Sequence, residues 1–414
     1  MNVLYIVGTN LKKNTSANIS HNAYVQGLLE CGCNVDIVMA LSSWGQDDSS
    51  LPEWEKANYY TYESVSCLDK LRNKFKKYFD AQVIQKESSF INLSLQKNIP
   101  KFDNSWKQRV RHILKTIYVG LFHTTHLYPL EQTWLKKASR FKRSINYDVI
   151  ISNSSPAASH KLVFDLLSKK RIIGKRWIQI WEDPWYYDLY GSHNEKIRQE
   201  EHRLLKAAQE IFYVSPLTLN YQKIHFMDCA NKMKHIPLPF LKISENKSDN
   251  SKEILEFGYF GDYFSKTRNL NPFYEALIEC KTHGYILGDS DLSLKSTKTV
   301  QVGGRVTIDK LIQFQDKSDV LVHLCNLQGG QIPGKIYHYS ATTKPILFIL
   351  DGTPEEITMI REYFEKYNRY NFCYNRKDDI VKTIRFFNAG NVDMKKQPVF
   401  EFQPKQVVSI LLNS

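Results

Sequence analysis

Asp319-Val-Leu-Val-His-Leu-Cys-Asn-Leu-Gln-Gly-Gly-Gln-Ile-Pro-Gly-Lys-Ile-Tyr-His-Tyr-Ser340 decides the reading of the fold. The run Val320–Cys325 fits a buried strand. Gly329, Gly330, Pro333 and Gly334 then mark a loop, and a helical pattern starts near Gly334. Open N–H groups and the positive dipole end at such a helix start would seat a phosphate, with the charge of Lys335 beside them. Gly329 to Lys335 also satisfies GxxxxGK. A P-loop needs Ser or Thr next, where this chain has Ile336, and Pro333 removes an N–H from the cradle. An ATPase reading is rejected on those grounds.

Working outward, short β-rich runs alternate with longer helical patterns, the habit of parallel sheets covered by helices. Asn2–Val7, Ala17–Glu30 and Asn34–Ala40 read as a βαβ opening. The alternation resumes at Tyr147–Ser152 and continues to Glu210–Val214. It breaks at a loop with Pro237 and Pro239 and at the polar stretch Glu245–Lys252. It starts afresh at Leu255–Tyr259 and runs to Pro345–Leu350. The expected division is therefore 1–245, with an insert at about 41–146, then 246–400 and a terminal helix at 401–414. A length of 414 residues agrees with two Rossmann-like domains. Within the insert, Trp106, Val110, Ile113, Leu114, Ile117, Tyr118 and Leu121 share one helical face, while Lys107, Arg109, Arg111 and Lys115 occupy the others.

Composition narrows the class. Apolar residues make up 42% of the chain and aromatics 13%, as in a folded protein. A formal charge of +13 favours an anionic partner such as a nucleotide diphosphate or a phospholipid surface. The basic residues are spread along the chain without a nucleic-acid-binding motif, so no nucleic-acid partner is expected. No apolar run is long enough to span a membrane. Met1–Val7 reads as a strand and not a signal peptide. Seven scattered cysteines without a CxxC pair fit free thiols in a reducing compartment, and a cytoplasmic location is expected.

With these segments in view, Ile332-Pro-Gly-Lys-Ile-Tyr-His-Tyr-Ser-Ala-Thr-Thr-Lys-Pro-Ile-Leu347 resembles the donor-site helix of family-4-like bacterial glycosyltransferases, which carry iPxKxxEYlaxxKPIL. Gly258-Tyr-Phe-Gly-Asp262 with Arg268-Asn269 resembles the first strand and loop of the same C-terminal domain. Tyr147–His160 and Arg176–Trp185 resemble the N-terminal strand–SxSPxxSxH and strand–RDPW pairing. The resemblance covers about 1–40, 147–240 and 253–414. It implies an α/β protein of GT-B architecture, two Rossmann-like domains whose parallel sheets face a central cleft.

The resemblance further implies a nucleotide-diphospho-sugar held by Gly261, Lys266, Arg268, Gly334, Lys335, Ile336 and His338. His160, Asp183 and Lys335 become the expected catalytic groups. No metal or cofactor is expected, and retention at the anomeric carbon is implied. The implied acceptor is a carbohydrate or lipid-linked oligosaccharide in capsule or O-antigen assembly, and the basic insert would touch an anionic membrane peripherally. Three departures stand out: His338 and Gly330 where the family has Glu, and Glu182 where RDPW has Arg. A sugar-nucleotide 2-epimerase or a non-catalytic nucleotide-sugar-binding relative would also fit. Asp183-Pro184 also reads as a helix N-cap and first helical position. Asp289-Ser-Asp291 spells DxD but reads as a turn after a short strand.

Overall fold

A computed structural model describes residues 1–42, 48–64, 127–189, 191, 193–241 and 254–414. The basic helical pattern with Arg109, Arg111 and Lys115 lies outside them. The first half comprises β1 (Asn2–Val7), α1 (Ser16–Glu30), β2 (Asn34–Ser42), β3 (Ala57–Ser64), α2 (Gln132–Ala138), β4 (Asn146–Asn153), α3 (Ala158–Ser168), β5 (Ile173–Trp181), α4 (Glu195–Ala207), β6 (Glu210–Tyr213), α5 (Pro216–His225) and β7 (Met233–His235). The second half comprises β8 (Glu256–Phe260), α6 (Asn271–Glu279), β9 (His283–Leu287), β10 (Val300–Gly303), α7 (Ile308–Lys317), β11 (Val320–Leu324), α8 (Lys335–Tyr339), β12 (Ile346–Leu350), α9 (Pro354–Glu365), β13 (Tyr370–Tyr374), α10 (Lys377–Asn388) and α11 (Pro404–Asn413).

Among the described residues the strands form two wholly parallel sheets, ordered β3-β2-β1-β4-β5-β6-β7 and β10-β9-β8-β11-β12-β13. The central strands are apolar because helices cover both faces: every residue of β11 and β12 is buried. Strand order reverses between β1 and β4, and again between β8 and β11. Each reversal splays the flanking connections apart and opens a crevice at the carboxyl ends of the strands.

β3 falls inside the stretch read as an insert. It pairs with β2 as an edge strand, and its burial alternates loosely along Ala-Asn-Tyr-Tyr-Thr-Tyr-Glu-Ser. An edge strand needs no continuous apolar run, so nothing in its composition announced it. α8 is shorter than the sequence pattern suggested. Ser340 Oγ donates to Ile336 O at 2.6 Å and Thr342 Oγ1 to Tyr339 O at 2.8 Å, which satisfies the last carbonyls and ends the helix. Just beyond, the buried Lys344 donates from Nζ to Gln315 O and Asp316 O at 2.6 and 2.7 Å, capping the C-terminal end of α7.

After the second sheet the chain returns to the first half, where α11 packs on α1. The approach is close enough that a Cβ at Gly27 would fall 2.3 Å from Pro404 O and 2.6 Å from Val408 Cγ2. Arg176 of β5 donates to Leu411 O at 2.9 Å on the other side. Gly27→Ala should therefore push α11 off α1 and cost about 1–3 kcal/mol, the usual penalty for overpacking. Urea unfolding measures it, and an unchanged midpoint would mean the two helices do not meet at Gly27.

Candidate functional site

The two crevices face each other across a cleft of about 680 Å³. The first half contributes the start of α1 at Thr15 and Ser16, the loop after β4 at Ser155, and Glu182, Asp183 and Asp188 beyond β5. From the second half come Gly261 and Asp262 beyond β8, Arg268, Arg305, Asn326, Gln331, Gly334, Lys335 and His338. Both sets lie where the strand order reverses, as expected for an open α/β sheet.

The wall from the second half is cationic. Lys335 opens α8, and its side chain passes over Gly261, with Cδ and Cε 3.8 Å from where a Cβ would stand there. Burial lowers its pKa to about 8; Asp262 works against this shift, while Arg305 and Arg268 add to it. Arg268 is fixed from two sides: Nε and Nη2 donate to Asn326 Oδ1 at 3.0 and 2.9 Å, and Nη1 to Asp262 O at 2.8 Å. Arg305 pairs with Asp262, and its Nε lies 3.6 Å from Asp289 Oδ2. His338, three residues after Lys335, lies on the same side of α8. Burial first and Lys335 second lower its pKa to about 4, so the ring is neutral at pH 7. Its buried Nε2 has no hydrogen-bond partner among the described residues.

Not every expected donor residue arrives here. Lys266 is exposed on the turn after β8 and does not line the cleft. Ile336 is fully buried in the core, and its N–H donates to Pro333 O at 3.3 Å, so it is withdrawn from the set. With five residues, α8 is also too short for its dipole to seat an anion. The charge on this wall comes from the side chains of Lys335, Arg268 and Arg305. The DxD carboxylates are engaged separately: Asp291 accepts from Ser265 N and Oγ, both at 2.7 Å, while Asp289 faces Arg305. Ser290 between them forms an isolated bridge with Tyr263, and bends at Asp291 and Leu292 replace the expected turn.

The wall from the first half is acidic. Asp183 begins no helix; bends and turns follow it to Leu189. It does line the cleft, where Gln331 Nε2 donates to Asp183 Oδ1 at 2.7 Å and to Asp188 Oδ1 at 3.0 Å. Burial and then the neighbouring Asp188 raise its pKa to about 7, with the Gln331 bond opposing. Glu182 is raised as well, by burial and then by Asp183. His160 belongs elsewhere. It is fully buried, stacks 4.1 Å from the Trp181 ring and meets Ser152 Oγ at 2.7 Å through Nδ1. Trp177 Nε1 donates to the same hydroxyl, and burial holds the His160 ring neutral with a pKa lowered to about 3. The sequence placed it at the cleft because it follows a strand end; it faces the core instead.

The loop joining the walls is held by a residue that sequence reasoning missed. Glu356 Oε1 accepts from the N–H groups of Gly329 and Gly330 at 3.0 and 3.1 Å. Gly330 O in turn accepts from Ser215 Oγ and, at 3.3 Å, Thr218 Oγ1 of the first half. Gly329 and Gly330 have φ of +97° and +69°. A Cβ on them would meet Leu189 Cδ1 at 2.4 Å and Tyr221 Cε2 at 2.9 Å. Gly330 is thus a packing residue between the halves, which accounts for the absence of a Glu there. Thr353-Pro-Glu-Glu356 is a capping-box pattern and could have marked Glu356. Nothing in the sequence singled out Arg305, Asn326 or Gln331.

No protein-family model and no curated protein matches this sequence. By structure, the chain is similar to Anabaena Alr3699/HepE in complex with UDP and glucose at 12% identity and a TM-score of 0.54, with 99% of this chain and 94% of that chain covered. It is also similar to trehalose-6-phosphate from E. coli bound with UDP-2-fluoro glucose, at 10% identity and a TM-score of 0.51 over 100% and 96% of the two chains. Likeness at such identities speaks to the fold, and the two parallel sheets facing one cleft are those of the GT-B fold.

Proposed function

We propose that this chain is a glycosyltransferase that moves a sugar from a nucleotide-diphospho-sugar to a carbohydrate or lipid-linked oligosaccharide acceptor. The observation that carries the reading is the cationic wall at the reversal point of the second sheet, where Lys335, Arg268 and Arg305 meet the unpartnered His338 Nε2. Transfer leaves negative charge on the departing diphosphate. Fixed cations aimed at that charge stabilise the transition state more than the ground state, and the reading needs no metal. His338, being neutral, would exchange a hydrogen bond with a ribose hydroxyl. UDP and glucose in one similar structure and UDP-2-fluoro glucose in the other agree with this ligand class.

Asp183 faces the same cleft from the first half and would receive the acceptor hydroxyl. Retention at the anomeric carbon, a role in capsule or O-antigen assembly, a cytoplasmic location and a peripheral contact of the basic 106–122 stretch with anionic membrane complete the proposal; the family resemblance supports them. Turnover of the donor with no acceptor present would favour the epimerase alternative.

The test is UDP titration joined to steady-state kinetics. Lys335 is charged below a pKa of about 8 and neutral above it. UDP affinity should therefore fall as pH rises from 8 to 10, by up to about tenfold per unit once the ammonium deprotonates. Lys335→Ala should flatten that profile and lower turnover more than it lowers affinity. If it changes neither, the donor binds elsewhere.

His338→Ala should weaken UDP by about 0.5–1.5 kcal/mol, the worth of one neutral hydrogen bond. His338→Glu should keep UDP binding, because a carboxylate there also accepts hydroxyl bonds. Unchanged affinity in His338→Ala would remove the ring from the nucleotide site.

A further inference from the structure

Glu182 and Asp183 are consecutive carboxyls on the wall opposite the cations, and neither has a cationic partner among the described residues. Glu182 lies within the cleft lining with its side chain only 10% exposed, and its Oε1 has no hydrogen-bond partner. His21 does not supply one. Its Nδ1 is 3.7 Å from Oε1, beyond hydrogen-bond range, and lies 3.3 Å from the Tyr5 hydroxyl. Asn153 Nδ2 donates to the same hydroxyl, so the Nδ1 edge of His21 is taken up by Tyr5. Burial keeps the His21 ring neutral. Among the described residues Asp183 accepts from the neutral Gln331 amide alone. A buried carboxyl with an unused oxygen is costly unless a ligand satisfies it.

We propose that Glu182 and Asp183 form the acceptor subsite and select a sugar whose entering end donates hydrogen bonds and carries no negative charge, with a free amino sugar held best. This rests on the glycosyltransferase reading. An ammonium placed against two crowded carboxyls lets both ionise and relieves their mutual repulsion, whereas a carboxylate or phosphate adds a further like charge in a partly desolvated site. Opposite signs on the two walls thereby sort the two substrates: the diphosphate to one side, the uncharged or cationic acceptor to the other.

The experiment titrates methyl glucosaminide, methyl glucoside and methyl glucuronide into the full chain at pH 7, with and without saturating UDP, read by saturation-transfer NMR. The glucosaminide should bind at least about tenfold more tightly than the glucuronide, a ratio worth about 1.4 kcal/mol. In the Glu182→Gln/Asp183→Asn double variant the ratio should fall towards one while UDP affinity is kept, which also shows that the variant is folded. Equal binding of glucosaminide and glucuronide, a preference that survives in the double variant, or no glycoside binding at all would each overturn the subsite. Binding of Mn²⁺ alone that the double variant abolishes would reassign the wall to a metal. Failure of UDP to bind would instead sink the donor reading, and the titrations without nucleotide would still judge the acidic wall.

Discussion

Glu356 shapes a loop to which it does not belong. Its Oε1 holds the N–H groups of Gly329 and Gly330, and its Oε2 accepts from Thr353 N at 2.9 Å to close the capping box at the start of α9. One buried side chain therefore ties a helix start to a turn in left-handed conformation. That turn presents Gly330 O to the hydroxyls of Ser215 and Thr218, and five residues later the chain enters α8 with Lys335. The face that one half offers the other and the position of the cationic group both follow from this anchor. Only glycine fits at 329 and 330, on account of both φ and the neighbours a Cβ would strike.

A second tie operates at the far side of the cleft. Asp48 of the first half accepts from Ile308 N at 3.3 Å, at the start of α7, where the N-cap residue Thr307 makes no side-chain cap. Burial alone would raise the Asp48 pKa. Hydrogen bonds from Ser50, Ile308 and Asn14 outweigh it, so the carboxylate is held below its ordinary range. A capping role ordinarily filled next to the helix is here filled from the other half of the chain. Between these ties the cleft carries a hydrogen-bonded relay: Arg268 to Asn326, Asn326 Nδ2 to Gln331 O at 3.0 Å, and Gln331 Nε2 to Asp183 and Asp188. It links the group that would face the diphosphate to the acidic wall.

The sequence exposed what local pattern controls. β1, β11 and β12 read as strands because buried parallel strands are continuously apolar, and Lys335 and His338 three residues apart on one helix had to share a face. What long-range packing controls stayed hidden. His160 sits at a strand end like a cleft residue, yet the Trp181 ring and Ser152 turn it inward. Arg305 gains its role from Asp262, 43 positions away, and Gln331 from two carboxylates in the other half. β3 escaped because an edge strand can be built from tyrosines and polar residues. The length of α8 depended on two hydroxyls whose choice of carbonyl no periodicity reveals.

α8 has a consequence out of proportion to its five residues. Tyr337 donates to Val214 O of the first half at 3.2 Å, Tyr339 to Phe260 O of the second at 3.3 Å, and Lys335 and His338 project into the space between. A helix of barely more than one turn cannot flex internally to keep all four positions if the halves part. If the halves part, the bond that gives way is Tyr337 to Val214; Tyr339 keeps α8 on its own sheet, and Lys335, His338, Arg268 and Arg305 stay together on one side. Contact between the halves therefore sets what the cationic wall faces, while the wall itself is assembled within the second half alone.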